Sequence, residues 1–388
     1  MAKRLIYIIE IIFVTMGLIA CDCRKDEPRF EPSENARHTA LVYMMAESNL
    51  SVPYGFDKSN IEEMCRAFAD KEINGRLMLF LSQYNSSPCL LEILSNDKRE
   101  SYIDTLRVYE GCLSTDTATL SRVMRDVREI SNTPSYGLIV WTHANGWLPQ
   151  YRFYKSSRRE LPQSIGCEGK EKRTMDIDLF ARALQPYHHD YIIFDACLMG
   201  CVEVMYELRH VCDHIIATPT ETMGAGFPYY DIMPHIFADT IDYKKICMKY
   251  ADMYINAMGC EGTIAHIETG HIEELADVCR RIVAGREEEI AHIDSRMLQF
   301  YDRIYPHVYF DLKHYMQQLA DEEQYADLEH VLDKVVTYKA ASRGFLGITI
   351  DYYSGLSSYI PGLTQDAVVE EYYRTLQWYK RVYENEME

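Results

Sequence analysis

Residues 191–200 read YIIFDACLMG, and this stretch decides how the fold is interpreted. Residues 191–194 are apolar, with β-branched and aromatic members, which is typical of a strand buried in a sheet. A helix is predicted over residues 198–209, so Cys197 stands where a strand gives way to a helix. In open parallel sheets the carboxyl ends of the strands line one edge, and functional sites are built there.

A histidine occupies a comparable position earlier in the chain, within residues 136–147, YGLIVWTHANGW. The run 136–141 is continuous and apolar, and it predicts a second buried strand. His143 follows this strand in a small, turn-forming stretch between two tryptophans. Because both residues come directly after strands, we expect His143 and Cys197 to face one crevice.

The rest of the chain alternates strand-like and helix-like segments. Apolar runs predict strands at residues 40–48, 76–83 and 214–217, with shorter strands before residue 111. Helical spacing predicts helices at residues 60–69, 117–130 and 175–184, with Asp116 as the N-cap of the second. In the C-terminal part, helices are expected at residues 243–258, 272–289 and 325–340, interleaved with apolar runs at 263–267 and 345–351.

This alternation predicts the α/β class. Right-handed βαβ units give a mainly parallel central sheet flanked by helices on both faces, here extended by C-terminal strands and helices. We divide the chain into a leader (1–20), a flexible tether (21–38), a catalytic core (39–240) and a C-terminal α/β extension packed on the same sheet (241–388).

The composition excludes several classes of protein. The 388 residues are 47% hydrophobic and 26% charged, which rules out a disordered or fibrous chain. The formal net charge of −19 disfavours a nucleic-acid partner, because such a protein needs a basic face to neutralise phosphates. The twelve cysteines are scattered without a CxxC pair, so their spacing assigns no disulfide and no metal site.

The first twenty residues, MAKRLIYIIEIIFVTMGLIA, have the pattern of a signal peptide. Lys3 and Arg4 precede an apolar run that is short for a membrane span and ends in small residues. Residues 18–21, LIAC, resemble a bacterial lipobox, in which the cysteine thiol takes a diacylglyceryl group. We therefore expect an exported protein, anchored through acyl chains on Cys21 to a bacterial membrane and facing the periplasm or the cell surface. The alternative is an uncleaved N-terminal anchor.

Residues 151–173 form a basic segment in an acidic protein. Seven Lys and Arg residues stand there against three Glu residues, and the segment has no apolar periodicity. Such a composition predicts an exposed loop between His143 and Cys197.

Cys197 and His143 are the residues most suited to chemistry. The thiolate is the reactive form of cysteine, and a free thiol is mostly protonated at neutral pH, so a nucleophile needs a base or a cation nearby. His143 can supply the base, and a helix that starts after Cys197 would favour the thiolate through its dipole. Cys197 lies 54 positions after His143, close to the spacing of about 50 found in caspases.

Taken in order, these motifs resemble the clostripain family of cysteine peptidases, relatives of the caspases in fold. The resemblance is carried by residues 41–46 with Asn49 and Leu50, 136–138 and 141–143 with Gly146 and Trp147, 195–200 with Glu203 and Leu208, and 226–229. Weaker similarity continues at residues 263–275 and 347–351, so the resemblance spans most of the chain after the tether. It implies a caspase-like fold.

The resemblance also implies an activity. Family members are endopeptidases that cut after a basic residue, usually Arg, and here the acyl-enzyme would form on Cys197 with His143 transferring protons. Backbone N–H groups of Cys197 and Ala144 would hold the oxyanion, with alanine standing where the family more often has glycine. A basic specificity requires a buried carboxylate, ideally paired bidentately with the guanidinium. The candidates, in order of preference, are Asp195, Glu221 and Asp231.

The basic segment gains a role from the same resemblance, because clostripain relatives are typically activated by cuts between the histidine and the cysteine. The candidate self-cleavage sites are Arg158, Arg159, Lys172 and Arg173. The alternative is that the segment is only a solvated loop.

The expected partners are a peptide or protein substrate with a basic residue before the cut bond, and the membrane through the lipid anchor, but no nucleic acid. No cofactor and no metal are expected; calcium dependence occurs in the family, and no compact calcium loop is visible in the sequence. The competing hypothesis, favoured by Ala144, is a catalytically silent surface lipoprotein that binds peptides or a protein partner in the same crevice. A carbohydrate-binding surface lipoprotein is a third alternative, which only the lipobox favours.

Overall fold

A computed structural model describes residues 35–96, 98–149, 164–168, 172–257, 259 and 261–384. The predicted leader, the lipidation site Cys21 and the candidate cleavage sites Arg158 and Arg159 lie outside the described residues. Within the described part, no helix is both long and apolar enough to cross a membrane.

The strands of the described part form one large sheet and three small pairs. In chain order they are β1 His38–Met45, β2 Arg76–Ser82, β3 Cys89–Ser95, β4 Ser101–Val108, β5 Ser135–Trp141, β6 Ile165–Glu168, β7 Arg173–Met175, β8 His189–Asp195, β9 Cys212–Ala217, β10 Thr263–Glu268, β11 Phe310–Asp311, β12 Val336–Ala341, β13 Gly344–Phe345, β14 Ile348–Thr349 and β15 Ser357–Ser358. The nine-stranded sheet has the order β12-β10-β9-β8-β5-β1-β2-β3-β4, and the pairs are β6-β7, β11-β15 and β13-β14.

The centre of the large sheet is parallel and its margins are antiparallel. The neighbours β9, β8, β5, β1 and β2 all run in the same direction. At one margin β3 and β4 are antiparallel, and at the other β10 and β12 are. The predicted α/β class with a mainly parallel sheet is therefore confirmed, and strands from the C-terminal part belong to the same sheet.

Helices cover both faces of the sheet. They are α1 Phe56–Asp70, α2 Thr117–Ser131, α3 Ile177–Leu184, α4 Val202–Leu208, α5 Tyr229–Ile236, α6 Tyr243–Tyr254, α7 Ile272–Val283, α8 Glu287–Ala291, α9 Leu312–Gln317, α10 Glu322–Val335, α11 Ala367–Thr375 and α12 Gln377–Val382, with short 3-10 turns at Thr269–His271 and Ser295–Met297. Asp116 lies at the predicted N-cap of α2, but its side chain makes no capping hydrogen bond.

Both faces of the sheet are buried, which explains why its parallel strands are continuous apolar runs. All eight residues of β1 are buried, and alternate side chains enter different cores: Tyr43 belongs to one and Val42 to the other. Helices α2, α3, α4, α7 and α10 pack over the first core, and α1, α5 and α6 pack over the second.

Two predicted helices of the C-terminal part have different boundaries in the structure. The helix predicted over residues 325–340 ends at Val335, and the chain continues directly as the edge strand β12, antiparallel to β10. Residues 335–338, VVTY, are β-branched or aromatic, which favours a strand beside an open sheet edge. The helix predicted over residues 272–289 is divided into α7 and α8, because Gly285 between them takes a φ of +70°.

The prediction of an exposed loop over residues 151–173 is wrong in its described part. β6 pairs with β7, and Ile165 is fully buried. Glu168 is also buried, and its carboxylate accepts three hydrogen bonds of 3.0 Å, from the Ser82 hydroxyl and from the N–H and hydroxyl of Thr115. These donors offset the cost of placing a carboxylate inside the protein.

Candidate active site

The register of the sheet places His143 and Cys197 at the same edge of the sheet. β5 and β8 are adjacent parallel strands in which Trp141 and Asp195 are direct partners, and the N–H of Thr142 donates to the carbonyl of Asp195 at 3.3 Å. His143 and Cys197 each lie two residues beyond this last pair. Two side chains at the same offset from paired residues of neighbouring strands stand at the same sheet edge.

The segments after the two strands also touch each other. We call residues 142–148 the histidine loop and residues 196–201 the cysteine loop. Gly146 of the histidine loop has a φ of +58°, and a Cβ there would lie 2.8 Å from the carbonyl oxygen of Leu198 and 2.4 Å from the hydroxyl of Tyr309. Glycine is therefore required at position 146, because only a residue without a side chain allows this approach.

The cysteine loop is a turn and not the first turn of a helix. The helix predicted from residue 198 begins at Val202, and Leu198 has a left-handed φ of +61°. Val202, the first residue of this helix, lies five positions after Cys197. The effect of a helix dipole fades within the first turn, so the expected stabilisation of the thiolate by the dipole is wrong.

Cys197 is partly buried and its sulfur faces a neighbouring loop. The N–H of Thr222 donates to Sγ at 3.3 Å, and Sγ lies 3.8 Å from the carbonyl oxygen of the same residue. Burial raises the pKa of the Cys197 thiol to about 12; the Thr222 N–H opposes this rise, and the carboxylates of Glu221 and Asp195 add to it. The thiol is therefore protonated at neutral pH in this state.

His143 is neutral at the same pH. Burial lowers the pKa of its imidazole to about 4, and Nε2 lies 2.6 Å from Oδ1 of Asn49. An amide oxygen only accepts hydrogen bonds, so Nε2 carries the ring proton and Nδ1 is left with the lone pair. The site thus holds a neutral thiol and a neutral imidazole.

Within the described residues, the N–H group of Ala144 has no backbone hydrogen-bond acceptor. Ala144 forms an isolated antiparallel bridge with Ile165, in which Asn145 N–H donates to the Ser164 carbonyl at 3.0 Å and Gly166 N–H donates to the His143 carbonyl at 2.9 Å. These bonds use the residues on either side of Ala144 and not its own N–H. Ala144 does not take a positive φ, so the glycine found more often in the family is not required here by backbone geometry.

Asp195 is a buried carboxylate two residues before Cys197. Its Oδ2 accepts hydrogen bonds from Phe227 N–H at 3.1 Å and from the Tyr229 hydroxyl at 2.8 Å. Burial raises the pKa of Asp195 to about 6, against the lowering by these two donors. A Cβ at Gly226 would lie 2.5 Å from Oδ2, so glycine there leaves room around the carboxylate.

The other two candidate carboxylates are placed differently. Glu221 lies next to Thr222 and forms a bidentate ion pair with Arg303, in which Nε and Oε1 are 2.9 Å apart. Asp231 is exposed on α5 and lies 3.8 Å from Lys71 at the end of α1. The structure therefore brings Asp195 and Glu221 to the cysteine loop and does not bring Asp231 there.

The candidate cleavage sites in the described part lie at the β6–β7 pair. Lys172 directly precedes β7, and Arg173 is its exposed first residue, opposite Glu168 of β6. Cutting beside either residue would require this pair to open, because a peptidase binds its substrate in an extended, unpaired form.

Three residues near the pair were not assigned a role from the sequence. Asn49 occurs in the motif that follows β1, Thr222 follows β9, and Arg303 lies in the C-terminal part. Asn49 and Thr222 could have been found by their position after parallel strands, as His143 and Cys197 were. Arg303 has no such signal, because its loop follows no strand of the sheet.

No group of three or more His, Cys, Asp or Glu side chains in the described part is arranged to hold a metal ion. The nine cysteines of that part are free thiols.

Comparison with known proteins agrees with this geometry. A model of the clostripain family, peptidase family C11, matches residues 42–387, which is most of the chain. The chain belongs to the clostripain family. No curated protein matches it.

Solved structures of family members share the fold. An inactive zymogen C11 protease from Parabacteroides distasonis is 30% identical, with 92% of this chain and 100% of that chain covered and a TM-score of 0.79. A secreted C11 cysteine protease from Bacteroides thetaiotaomicron, in complex with an irreversible peptide inhibitor, is 25% identical, with 89% and 99% covered and a TM-score of 0.77. The chain is thus a cysteine peptidase of caspase-like fold.

Proposed function

We propose that this clostripain-family peptidase cuts peptide bonds after arginine or lysine, with Cys197 as nucleophile and His143 as the proton-transfer residue. The observation that carries the proposal is the pairing of Trp141 with Asp195, which sets the two residues at the same offset on adjacent strand ends. The peptide inhibitor bound to the Bacteroides relative supports a peptide substrate.

The neutral state of the pair defines the first chemical step. As Sγ of Cys197 attacks the carbonyl carbon, its proton passes to Nδ1 of His143, so charge develops only in the transition state. The resulting oxyanion would be held by the N–H groups of Ala144 and Cys197. The C–N bond then breaks, the leaving amine takes the proton from His143, and a thioester remains on Sγ. His143 then deprotonates a water molecule, whose oxygen attacks the thioester carbon; the C–S bond breaks, Sγ takes the proton back from His143, and the acid is released.

Asp195 is proposed to hold the basic side chain before the cut bond. A buried carboxylate binds a guanidinium more strongly than an exposed one, because water does not compete. Arrival of a cation would lower the raised pKa of Asp195 and keep its carboxylate ionised.

A fluorogenic peptide series tests the proposal, with Arg, Lys, Gln or Asp before the cut bond. Cleavage of the Arg and Lys peptides is expected, with loss of activity in Cys197→Ala and His143→Ala. Asp195→Asn should selectively reduce cleavage after Arg. Matched controls are Cys89→Ala, at a partly buried free cysteine, and His271→Ala, at a histidine beside Glu274; both should remain active.

The competing function, a catalytically silent peptide-binding relative, gives a different result in the same experiment. A silent protein would cut none of the peptides, and a peptidyl inhibitor that alkylates thiols would not label Cys197. Labelling of Cys197 in the wild type that is lost in His143→Ala would exclude the catalytically silent relative.

We further propose self-cleavage after Arg158, Arg159, Lys172 or Arg173. A zymogen form is described for the Parabacteroides relative, which supports a less active precursor here. Purified wild type should divide into two fragments while Cys197→Ala stays intact; a single chain in both would contradict the idea.

Export and lipid anchoring through Cys21 are proposed from the leader alone, since these residues lie outside the described part. Palmitate-analogue labelling of wild type that is lost in Cys21→Ala is the expected outcome. Equal labelling of both proteins would refute the anchor. The described secretion of the Bacteroides relative supports export.

A further inference from the structure

The crevice beside Cys197 contains a fixed cation. Arg303 pairs with Glu221, and the neighbouring Thr222 donates its N–H to the sulfur of Cys197 at 3.3 Å. The Arg303 side chain remains 39% exposed, while its partner Glu221 is 22% exposed. The Arg303 guanidinium is therefore linked to the sulfur of Cys197 through Glu221 and the adjacent Thr222, and one side of it is exposed to solvent.

The loop that carries Arg303 is held rigidly. Asp302 is fully buried, and its carboxylate accepts hydrogen bonds from the N–H groups of Ile304, Val308 and Tyr309 at 2.8 to 3.0 Å. A carboxylate that accepts three backbone hydrogen bonds fixes the turn around it. Arg303 is thus presented by an ordered support, unlike a long cationic side chain on a mobile surface.

The same loop also reaches the histidine loop. Tyr309 is fully buried, and its hydroxyl donates to the carbonyl oxygen of Asn145 at 2.5 Å. The segment 302–309 therefore contacts the cysteine side through Arg303 and Glu221, and the histidine side through Tyr309. A group presented from this segment lies at the border of the crevice that the two loops share.

One edge of the Arg303 guanidinium has no hydrogen-bond partner within the described residues. The pair with Glu221 uses Nε and one N–H of Nη2, which leaves the second N–H of Nη2 and both N–H groups of Nη1. The remaining edge, formed by one N–H of Nη1 and one of Nη2, can bind a carboxylate with two parallel hydrogen bonds. The free edge favours an acidic group that completes a carboxylate–guanidinium–carboxylate arrangement.

We propose that Arg303 is a specificity-determining residue that binds an acidic side chain of the substrate next to the cut bond. Asp195 would then select a basic residue, and Arg303 an acidic neighbour, so the preferred site has adjacent opposite charges. The inference rests on the proposed function, because it assumes that peptides occupy this crevice.

Matched peptides test the proposal. Each peptide has Arg before the cut bond, and Glu, Gln or Lys stands either directly before this Arg or directly after the cut bond. At one position, wild type should cleave the Glu peptide about fivefold to tenfold faster than the Gln peptide, with Lys slowest. Arg303→Met should bring the Glu-to-Gln ratio close to one. The Glu-to-Gln ratio is compared, and not the absolute rate, because Arg303→Met leaves Glu221 unpaired and this changes the cleavage rate of every peptide.

Three variants make the result specific. Arg303→Met/Glu221→Gln removes the pair without leaving an unpaired carboxylate, and it should show the same loss of preference. Arg303→Lys keeps the charge but not the planar edge, and it should retain only part of the ratio. Arg296→Met, at an exposed arginine paired with Asp294, should keep the wild-type ratio.

Binding provides a readout that does not require turnover. Fluorescence anisotropy on Cys197→Ala should show the Glu peptide bound about fivefold more tightly than the Gln peptide, and Arg303→Met in the same background should abolish this difference. Equal ratios in wild type and Arg303→Met, or equal affinities for both peptides, would overturn the role of Arg303. Loss of turnover with retained acidic preference in binding would instead overturn only the proposed cleavage after Arg or Lys by Cys197 and His143.

Discussion

The cysteine loop and the histidine loop follow adjacent strands at the same offset, yet different parts of the chain hold them. The cysteine loop is bonded to the body of the fold. N–H groups of Leu198 and Gly200 donate to carbonyls of the segment 218–220 at 2.8 Å, and Ser357 N–H donates to the Gly200 carbonyl at 3.0 Å. Burial and backbone hydrogen bonds of this kind fix a nucleophile in place.

The histidine loop is held by the segment that precedes the cysteine in sequence. Residues 164–166 pair with it on both sides of Ala144, and Tyr309 binds the carbonyl of Asn145. Residues 164–166 lie inside the basic segment in which self-cleavage is proposed. We therefore expect the proposed processing to move His143 more than Cys197.

The largest expected effect breaks the support of the cysteine loop. A Cβ at Gly200 would lie 2.5 Å from the nitrogen of Pro219 and 2.7 Å from the carbonyl carbon of Thr218, and backbone atoms cannot move aside cheaply. Gly200→Ala should lower the free energy of unfolding by about 1–3 kcal/mol. It should also reduce kcat/KM by about a hundredfold, because the nucleophile shifts.

The control is Gly270→Ala, since a Cβ at Gly270 would have no neighbour within 4 Å and its φ is not positive. Chemical unfolding and peptide cleavage of both variants decide the matter. A Gly200→Ala protein as stable and as active as Gly270→Ala would show that the cysteine loop is not tightly held.

The pH dependence of cleavage separates the contributions of His143 and Asp195, because the two groups have different pKa values. In the proposed mechanism cleavage needs a neutral His143, whose pKa is about 4, and binding of Arg needs an ionised Asp195, whose pKa is about 6. For Arg peptides, kcat/KM should therefore rise with pH up to about 6 and fall about tenfold per unit below it. In Asp195→Asn the limb at 6 should vanish and the limb near 4 remain. An unchanged profile in this variant would mean that Asp195 does not titrate in the reaction.

A smaller effect concerns the base itself. Asn49→Ala removes the 2.6 Å contact to Nε2 of His143, and loss of one hydrogen bond to a neutral group costs about 1 kcal/mol, or about fivefold in kcat. Water entering the vacated space would also raise the lowered pKa of His143, so the acid limb should move up from about 4. Asn256→Ala, at an exposed asparagine, is the control. Reduced activity without a shifted limb would argue against positioning by Asn49.

Much of the sheet was predictable because parallel strands buried on both faces must be apolar throughout. β1 and β8 were recognised in this way, and their ends indicated where polar residues would gather. The boundary of α4 was not predictable, because residues 198–201 are as apolar as the helix that follows, and neither glycine nor asparagine marks the left-handed Leu198. The dipole argument for Cys197 failed for that reason.

The contributions of the C-terminal part were also hidden from the sequence. Glu221 and Arg303 are 82 positions apart, and Asn145 and Tyr309 are 164 positions apart. Neither pair lies at a helical or strand spacing, so periodicity could not connect them. Glu168 was counted as part of a solvated basic loop, although three donors from distant segments make its burial possible.

The smallest expected effect tests whether processing loosens the histidine loop. Tyr309→Phe removes the hydroxyl that donates to the Asn145 carbonyl and leaves a buried acceptor unpaired, which costs about 1–3 kcal/mol of stability. In the intact chain, residues 164–166 still hold the loop, so the loss of kcat should be small, about threefold.

After self-cleavage, Tyr309 would carry a larger share of that support, so Tyr309→Phe should reduce kcat more in the processed protein than in the intact one. Single-turnover cleavage by the two forms, with Tyr352→Phe at a half-exposed ring as control, measures the difference. Equal losses in both forms would mean that the pairing of residues 164–166 with the histidine loop survives the cut, and that the two catalytic loops are equally independent of the basic segment.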